Sequence, residues 1–319
     1  MTTHRLPLSG GHVMHIEEHG NPAGLPALVL HGGPGSGSSP LLRSCFDPAR
    51  YRVICPDQRG AGQSTPGGSI AFNTLADLLD DLRRLRDHLQ VDRWLVVGGS
   101  WGATLALLHA MDQPSAVSGL LLRNVFLARA CDIHDFFAEA ARRGGAEWRV
   151  LWNEARRRQC PMALLLAEIF AHGTQERQRE VALCWFDWEQ RMSGGSSAPP
   201  GDAAALQRVV SRYRVQSHYL RHGCWLGAPT LLQRCAALPA VPTLIVQGTQ
   251  DATCPPQGAQ ALAQALHGRA VLQWAQGAGH DPTHPALVAA MEQALRDYAN
   301  TQAFGGQPAP DALINASAP

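Results

Sequence analysis

From residue 13 to 125, short apolar runs alternate with longer stretches whose apolar residues recur every three or four positions. The short runs are Ala27 to Leu30, Tyr51 to Cys55, Trp94 to Val97 and Leu120 to Leu122, and each predicts a buried strand. Between the second and third lies NTLADLLDDLRRLRDHLQ, with leucines at 75, 78, 79, 82, 85 and 89. That spacing predicts a helix, and Asn73 or Thr74 is its N-cap. Gly102 to Met111 is apolar nearly all round and predicts a buried helix. Strand and helix in alternation imply a parallel sheet covered on both faces, hence an α/β fold.

The pattern changes between about 126 and 235. Helical periodicity dominates there, strand texture vanishes, and arginines and aromatics cluster. The stretch SGGSSAPPGD, 193 to 202, reads as a loop. Strand texture returns at Thr243 to Val246 and Val271 to Trp274, and a helix is expected from about 285 to 298. A helical segment, 126–235, is therefore expected as an insertion into an α/β core made of 1–125 and 236–300. Residues 301–319 have few apolar anchors and are expected to form a mobile tail.

Composition narrows the function. With 319 residues and 45% hydrophobic content the chain can build a large core. A formal net charge of +1 gives no global field toward nucleic acid or a membrane surface, and neither is expected as a partner. No apolar run has the length of a signal peptide or a membrane span, and a cytoplasmic location is expected. The eight cysteines form no C-x-x-C pair, which argues for reduced thiols and against a structural zinc. Lysine is missing altogether: all 27 basic residues are arginine. Schiff-base chemistry, serine–lysine dyads and phosphate-cradling lysines are thereby excluded.

Gly98-Gly99-Ser100-Trp101-Gly102 fits G-x-S-x-G, in which a strand turns sharply into a helix with the serine at the corner. Glycines two residues to either side keep side chains out of a crowded turn. The hydroxyl then sits at a helix start, where the dipole favours negative charge. A serine needs a base to take its proton. His280 follows the expected strand 271–274, and Asp251 follows the expected strand 243–246. Both occupy the carboxyl-end positions where an open sheet carries its chemistry. His280 is the candidate base and Asp251 the group that orients it and stabilises its cation. Asp281 and Asp57 are rivals for the acid role. The glycine-rich HGGPGSGSS, 31 to 39, lets backbone approach a tetrahedral intermediate. The N–H groups of Gly33 and Trp101 are the candidate oxyanion donors, each typically contributing about 2.7–4 kcal/mol to lowering the barrier. A phosphate loop is rejected, because the lysine it requires is Ser38 here.

His15-Ile16-Glu17-Glu18-His19 fits a zinc-protease pattern, H-x-x-E-H, which needs a helix to bring the histidines together. Gly11 before it and Gly20-Asn21-Pro22 after it predict a strand ending in a turn. In a strand the two imidazoles stand roughly 13 Å apart, too far to share an ion.

Taken together, HGGPGSG, DQRGAGQS (57 to 64), GGSWGATLAL (98 to 107), GTQDATCP and GAGH resemble the proline iminopeptidases, or prolyl aminopeptidases, of the α/β-hydrolase superfamily. The resemblance spans nearly the whole chain apart from the tail. It implies an α/β-hydrolase fold, a mostly parallel central sheet flanked by helices with an inserted helical cap. It further implies a serine hydrolase that removes N-terminal proline from peptides without metal or cofactor. By the same resemblance Glu189, in Trp185-Phe186-Asp187-Trp188-Glu189, anchors the substrate amine, and Phe126 and Phe136 wall the proline ring. Arg123, corresponding to an arginine of the family's L-R-G-I-F with Asn124 in place of the glycine, is a candidate substrate-binding residue or, equally, a structural salt-bridge partner. The family's second amine-binding glutamate stands where this chain has Gln216, which keeps an acceptor but loses the charge. Cys254, three residues after Asp251, is expected near the site. Two other readings remain: an esterase or amidase of the same fold with another acyl or amine substrate, and a non-catalytic binding member. Oligomeric state has no signal in the sequence.

Overall fold

The computed structural model describes residues 1–194 and 200–305, so most of the expected tail and half of the loop at 193–202 lie outside the described residues. The described strands are β1 (Thr2–Pro7), β2 (Val13–Gly20), β3 (Leu25–Leu30), β4 (Tyr51–Pro56), β5 (Trp94–Ser100), β6 (Val117–Val125), β7 (Thr243–Gly248) and β8 (Val271–Ala275). They form a single sheet in the order β1-β2-β4-β3-β5-β6-β7-β8. From β4 to β8 along the sheet all neighbours are parallel, while β1 and β2 close one edge antiparallel. Every predicted strand is present, and β6 runs longer than its three-leucine signal because its ends alternate with polar residues. The edge strand β1 has no sequence signal. Its side chains are mostly exposed, so burial imposes no apolar alternation on it. The H-x-x-E-H stretch lies within β2, where Glu17 bonds His19 on its own strand face, and the pattern is not helical.

The sheet is buried on both faces. Leu28, Leu30, Ile54, Val96, Leu120, Leu122 and Ile245 belong to one core, and Ala27, Val29, Val53, Leu95, Val97, Leu121 and Val246 to the other. Residues i and i+1 thus fall to opposite sides, as the two-residue strand period requires. After β3 comes a short α1 (Pro40–Arg43). Helix α2 (Leu75–His88) starts at Thr74, whose side chain and Asp77 form a reciprocal capping box. Helix α3 (Trp101–Asp112) follows β5 directly and is buried along ten consecutive residues, which explains its all-round apolar pattern.

Between β6 and β7 the described chain is helical: α4 (Ala130–Arg143), α5 (Ala146–Arg157), α6 (Met162–His172), α7 (Gln175–Met192), α8 (Ala203–Arg221) and α9 (Leu231–Arg234). Helix α8 packs on α6 and α7. An aromatic cluster holds this segment together. Trp185 of α7 stacks on Tyr213 of α8 at 4.7 Å, and Phe137 of α4 meets Trp185 edge-on at 5.3 Å. The chain then returns through α10 (Pro256–Ala265) and α11 (Pro285–Thr301). Phe304 is fully buried and lies 5.1 Å from Tyr298, so the described chain is anchored past the expected tail boundary.

Candidate active site

Ser100 ends β5 and caps α3 with φ 56° and ψ −122°, a conformation that L-residues avoid. The glycines around it are a steric necessity. A Cβ on Gly98 would lie 2.2 Å from the Gly102 carbonyl oxygen, and one on Gly102 would lie 2.1 Å from that of Leu30. The serine hydroxyl is thereby raised into a cavity of about 550 Å³ at the carboxyl end of the parallel strands.

His280 lines that cavity too. Its Nδ1 lies 2.8 Å from Asp251 Oδ2. The other oxygen of Asp251 accepts from the backbone N–H of Thr253 at 2.9 Å and of Cys254 at 2.8 Å. The carboxylate is fully enclosed and its orientation is set by three donors, with Nδ1 carrying a proton. Neither rival reaches the imidazole. Asp281 folds back on Thr283, and Asp57 accepts from the N–H groups of Ser38 and Gln63. Ser100 and His280 face one cavity without a hydrogen bond between them among those of the described residues. The Ser100 hydroxyl instead lies 3.7 Å from Cys254 Sγ. Burial pushes the Cys254 thiol well above its ordinary value, so it is protonated at neutral pH.

The loop after β3 brings Gly32 and Gly33 to the same cavity. Trp101, at the first position of α3, has a backbone N–H with no acceptor in its own helix. Its indole is fully buried and donates to Gln58 Oε1 at 2.9 Å. Gln58 in turn donates from Nε2 to the His31 carbonyl at 2.9 Å, and its backbone N–H bonds His31 Nε2 at 3.0 Å. The tautomer of His31 follows: Nε2 accepts, so Nδ1 carries the proton and donates to the Gly32 carbonyl at 2.9 Å. Burial lowers the His31 pKa and favours this neutral form. Arg59, next in chain, is buried and holds both oxygens of Asp81 on α2, which fixes the loop from behind.

Asn124, near the end of β6, has φ 48° and is fully buried. Its amide donates to the Gly279 carbonyl at 3.1 Å and accepts from the Gly248 N–H at 2.9 Å. It therefore ties the loop of His280 to the strand end that leads to Asp251. Arg123 lines the cavity and donates to the His280 carbonyl at 3.4 Å, and burial lowers its pKa below the ordinary arginine value.

The helical segment supplies the opposite wall. Phe126, Phe136, Glu189 and Gln216 all line the cavity with Ser100. Sequence reasoning missed two partners of Glu189. Arg212 and Tyr213 of α8 both bond its Oε2, the tyrosine at 3.1 Å, while Gln216 Nε2 donates to Oε1 at 2.9 Å. The signal available was their position: Arg212 stands one helical turn before Gln216. Gln58 and His31 were visible only as members of the strings DQRGAGQS and HGGPGSG, and Asn124 only as a departure from the family's glycine, with no role attached.

Among the described residues, one group could hold a metal ion: Asp251, Cys254 and His280, with ligand atoms within 4.8 Å of one another. Two of these are already hydrogen-bonded to each other, and the third is a protonated thiol, so the donor set fits an acid–base pair better than a metal site.

Comparison with known proteins gives a consistent result. A family model described as the alpha/beta hydrolase fold matches residues 26–283. A proline iminopeptidase of Neisseria meningitidis serogroup A is 36% identical over 300 residues, covering 92% of this chain and 94% of that protein. One of Xanthomonas citri is 35% identical over 306 residues, covering 92% and 95%. The crystal structure of proline iminopeptidase from Mycobacterium smegmatis superposes with a TM-score of 0.62 at 20% identity, over 94% of this chain and all of that one, which bears on the fold alone.

Proposed function

Because the chain belongs to the proline iminopeptidase family of the α/β hydrolases and is a serine aminopeptidase, we propose that it releases N-terminal proline from peptides through an acyl-enzyme. The observation that carries this reading is a strained serine and a histidine on one cavity, the histidine held from behind by an enclosed aspartate. Ser100 attacks the carbonyl carbon of the first residue while His280 Nε2 takes its proton. Asp251 holds Nδ1–H and stabilises the imidazolium that forms. The N–H groups of Gly33 and Trp101 receive the developing oxyanion. His280 then gives its proton to the leaving amine, and water repeats the sequence on the ester. The missing Ser100–His280 bond is compatible with this, since such bonds tighten when substrate arrives.

Residues 126–235 act as a cap that limits the acyl site to one residue. Phe126 and Phe136 supply flat apolar walls for the ring, and Glu189 and Gln216 receive the amine. Arg123 holds the His280 loop from within the cavity. The partner is a peptide with a free N-terminal proline. No helix among the described residues is long and apolar enough to cross a membrane.

The test compares prolyl p-nitroanilide with its N-acetylated analogue, using Ser100→Ala as control and a fluorophosphonate to label Ser100. Turnover of the free-amine substrate alone, with labelling lost in the variant, is the expected result. Equal turnover of both substrates selects the esterase or amidase reading. An unlabelled Ser100 removes the enzyme reading.

A further inference from the structure

Besides the hydroxyls of Ser38 and Thr253, the residues lining the cavity carry two buried side-chain atoms without a partner, both on α8 and of opposite kind. Gln216 is 7% exposed. Its Nε2 must face Glu189, because a carboxylate can only accept, so its Oε1 faces away. That oxygen is buried and has no donor among the described residues. Arg212, one turn earlier on the same face of α8, gives Nη2 to Glu189 while its Nε is buried with no acceptor. Both residues line the cavity that Ser100 enters. A buried acceptor and a buried donor left open each cost stability unless water or a ligand meets them.

Charge points the same way. Glu189 is the carboxylate that an incoming ammonium would seek, and Arg212 already neutralises it at hydrogen-bond distance. Tyr213 and Gln216 occupy further lone pairs. The wall therefore presents a compensated ion pair, not a free anion. A prolinium nitrogen offers donors only, so it would satisfy Gln216 Oε1 and leave Arg212 Nε open. A five-membered lactam presents an N–H beside a C=O on one edge and answers both.

Resting on the serine-hydrolase reading above, we infer that this pocket also accepts an uncharged lactam acyl group, so that the enzyme releases N-terminal 5-oxoproline (pyroglutamate) as well as proline. The ring lies between Phe126 and Phe136, its N–H on Gln216 Oε1 and its carbonyl on Arg212 Nε. The reaction is the same hydrolysis. The Ser100 Oγ–carbon bond forms as the peptide C–N bond breaks, and the serine proton passes through His280 to the leaving amine. Water then cleaves the ester, which returns the hydroxyl and frees 5-oxoproline.

The experiment measures kcat/KM for L-pyroglutamyl and L-prolyl p-nitroanilide on the intact protein, Arg212→Met, Gln216→Glu and Ser100→Ala. The intact protein is expected to cleave the pyroglutamyl substrate within about a hundredfold of the prolyl one, two hydrogen bonds being at stake. Each pocket substitution is expected to shift the ratio toward prolyl by about tenfold or more, since one removes the lactam's donor and both add net negative charge. Because the ratio is read on a single preparation, partial misfolding cancels. Prolyl turnover with a pyroglutamyl rate below about one hundredth of it, or a ratio that neither substitution moves, overturns the inference and leaves the aminopeptidase standing. Failure of both substrates on the intact protein overturns the reading on which it rests.

Discussion

The indole of Trp101 donates a hydrogen bond to Gln58 Oε1 at 2.9 Å, joining the residue after the elbow serine to the loop that follows β4. Gln58 also grips His31 through its side chain and its backbone, so one residue links the tryptophan after the elbow to the start of the loop that carries Gly33. Replacing Gln58 with Leu removes the link and strands the indole N–H in the core. Stability is expected to fall by about 1–3 kcal/mol. On prolyl p-nitroanilide kcat is expected to fall at least about tenfold, with KM nearly constant, because the oxyanion exists only beyond the ground state. A loss confined to KM would sink the positioning argument.

Asn124 offers a cleaner test of geometry at a distance. Its φ of 48° strains any residue with a Cβ, so Asn124→Gly deletes the side chain without adding backbone strain. The bonds to Gly279 and Gly248 disappear with it. We expect kcat to drop about tenfold or more through a looser His280 loop. Asn124→Asp keeps the acceptor and is expected to recover part of the loss. Full activity in the glycine variant would show that the two loops hold their places unaided.

Asp251→Asn tests the tautomer. Two backbone N–H groups fix an acceptor at Oδ1, so the new NH2 must turn toward His280. It then donates to Nδ1 and forces the proton onto Nε2, where the base must be free. A fall in kcat of about 10⁴-fold is expected, by analogy with the same change in other serine triads. Retention of more than about a tenth of the rate would assign the acid role elsewhere.

His109 links pH to stability. It is fully buried on α3, its Nε2 accepts from the Trp94 indole at 3.1 Å, and burial pushes its pKa down to about 4. The unfolded chain binds this proton near the ordinary 6.5, so the unfolded state gains it first as pH falls. The contribution is whole above that value and is lost between there and about 4, up to about 3 kcal/mol. His31 acts in the same direction, so the measurement is a difference. Urea midpoints at pH 7.5 and 5.0 are expected to fall further in the intact protein than in His109→Gln, which keeps an acceptor for Trp94. Equal falls would mean that His109 is charged in the fold.

The strand order of the sheet is a case of partial legibility. The central strands declared themselves because burial on both faces leaves only apolar side chains, as at Leu28 and Val29. The edge strand β1 did not, since exposure relaxes that demand. The wall formed by α7 and α8 shows the same limit in another form. The resemblance makes Glu189 a candidate amine anchor, but its compensation by Arg212 depends on how α7 and α8 cross, and no local pattern encodes a crossing.

The elbow, the order of the serine, aspartate and histidine, and the alternation of strand and helix were fixed by the chain itself, because steric demands in a tight turn and burial of a sheet act on neighbouring residues. Which aspartate reaches His280, why a tryptophan follows Ser100, and what charge the cavity presents at Glu189 were settled only on folding. Each depends on side chains brought together from distant segments, and the hydrogen bonds they form have directions that composition and spacing do not carry.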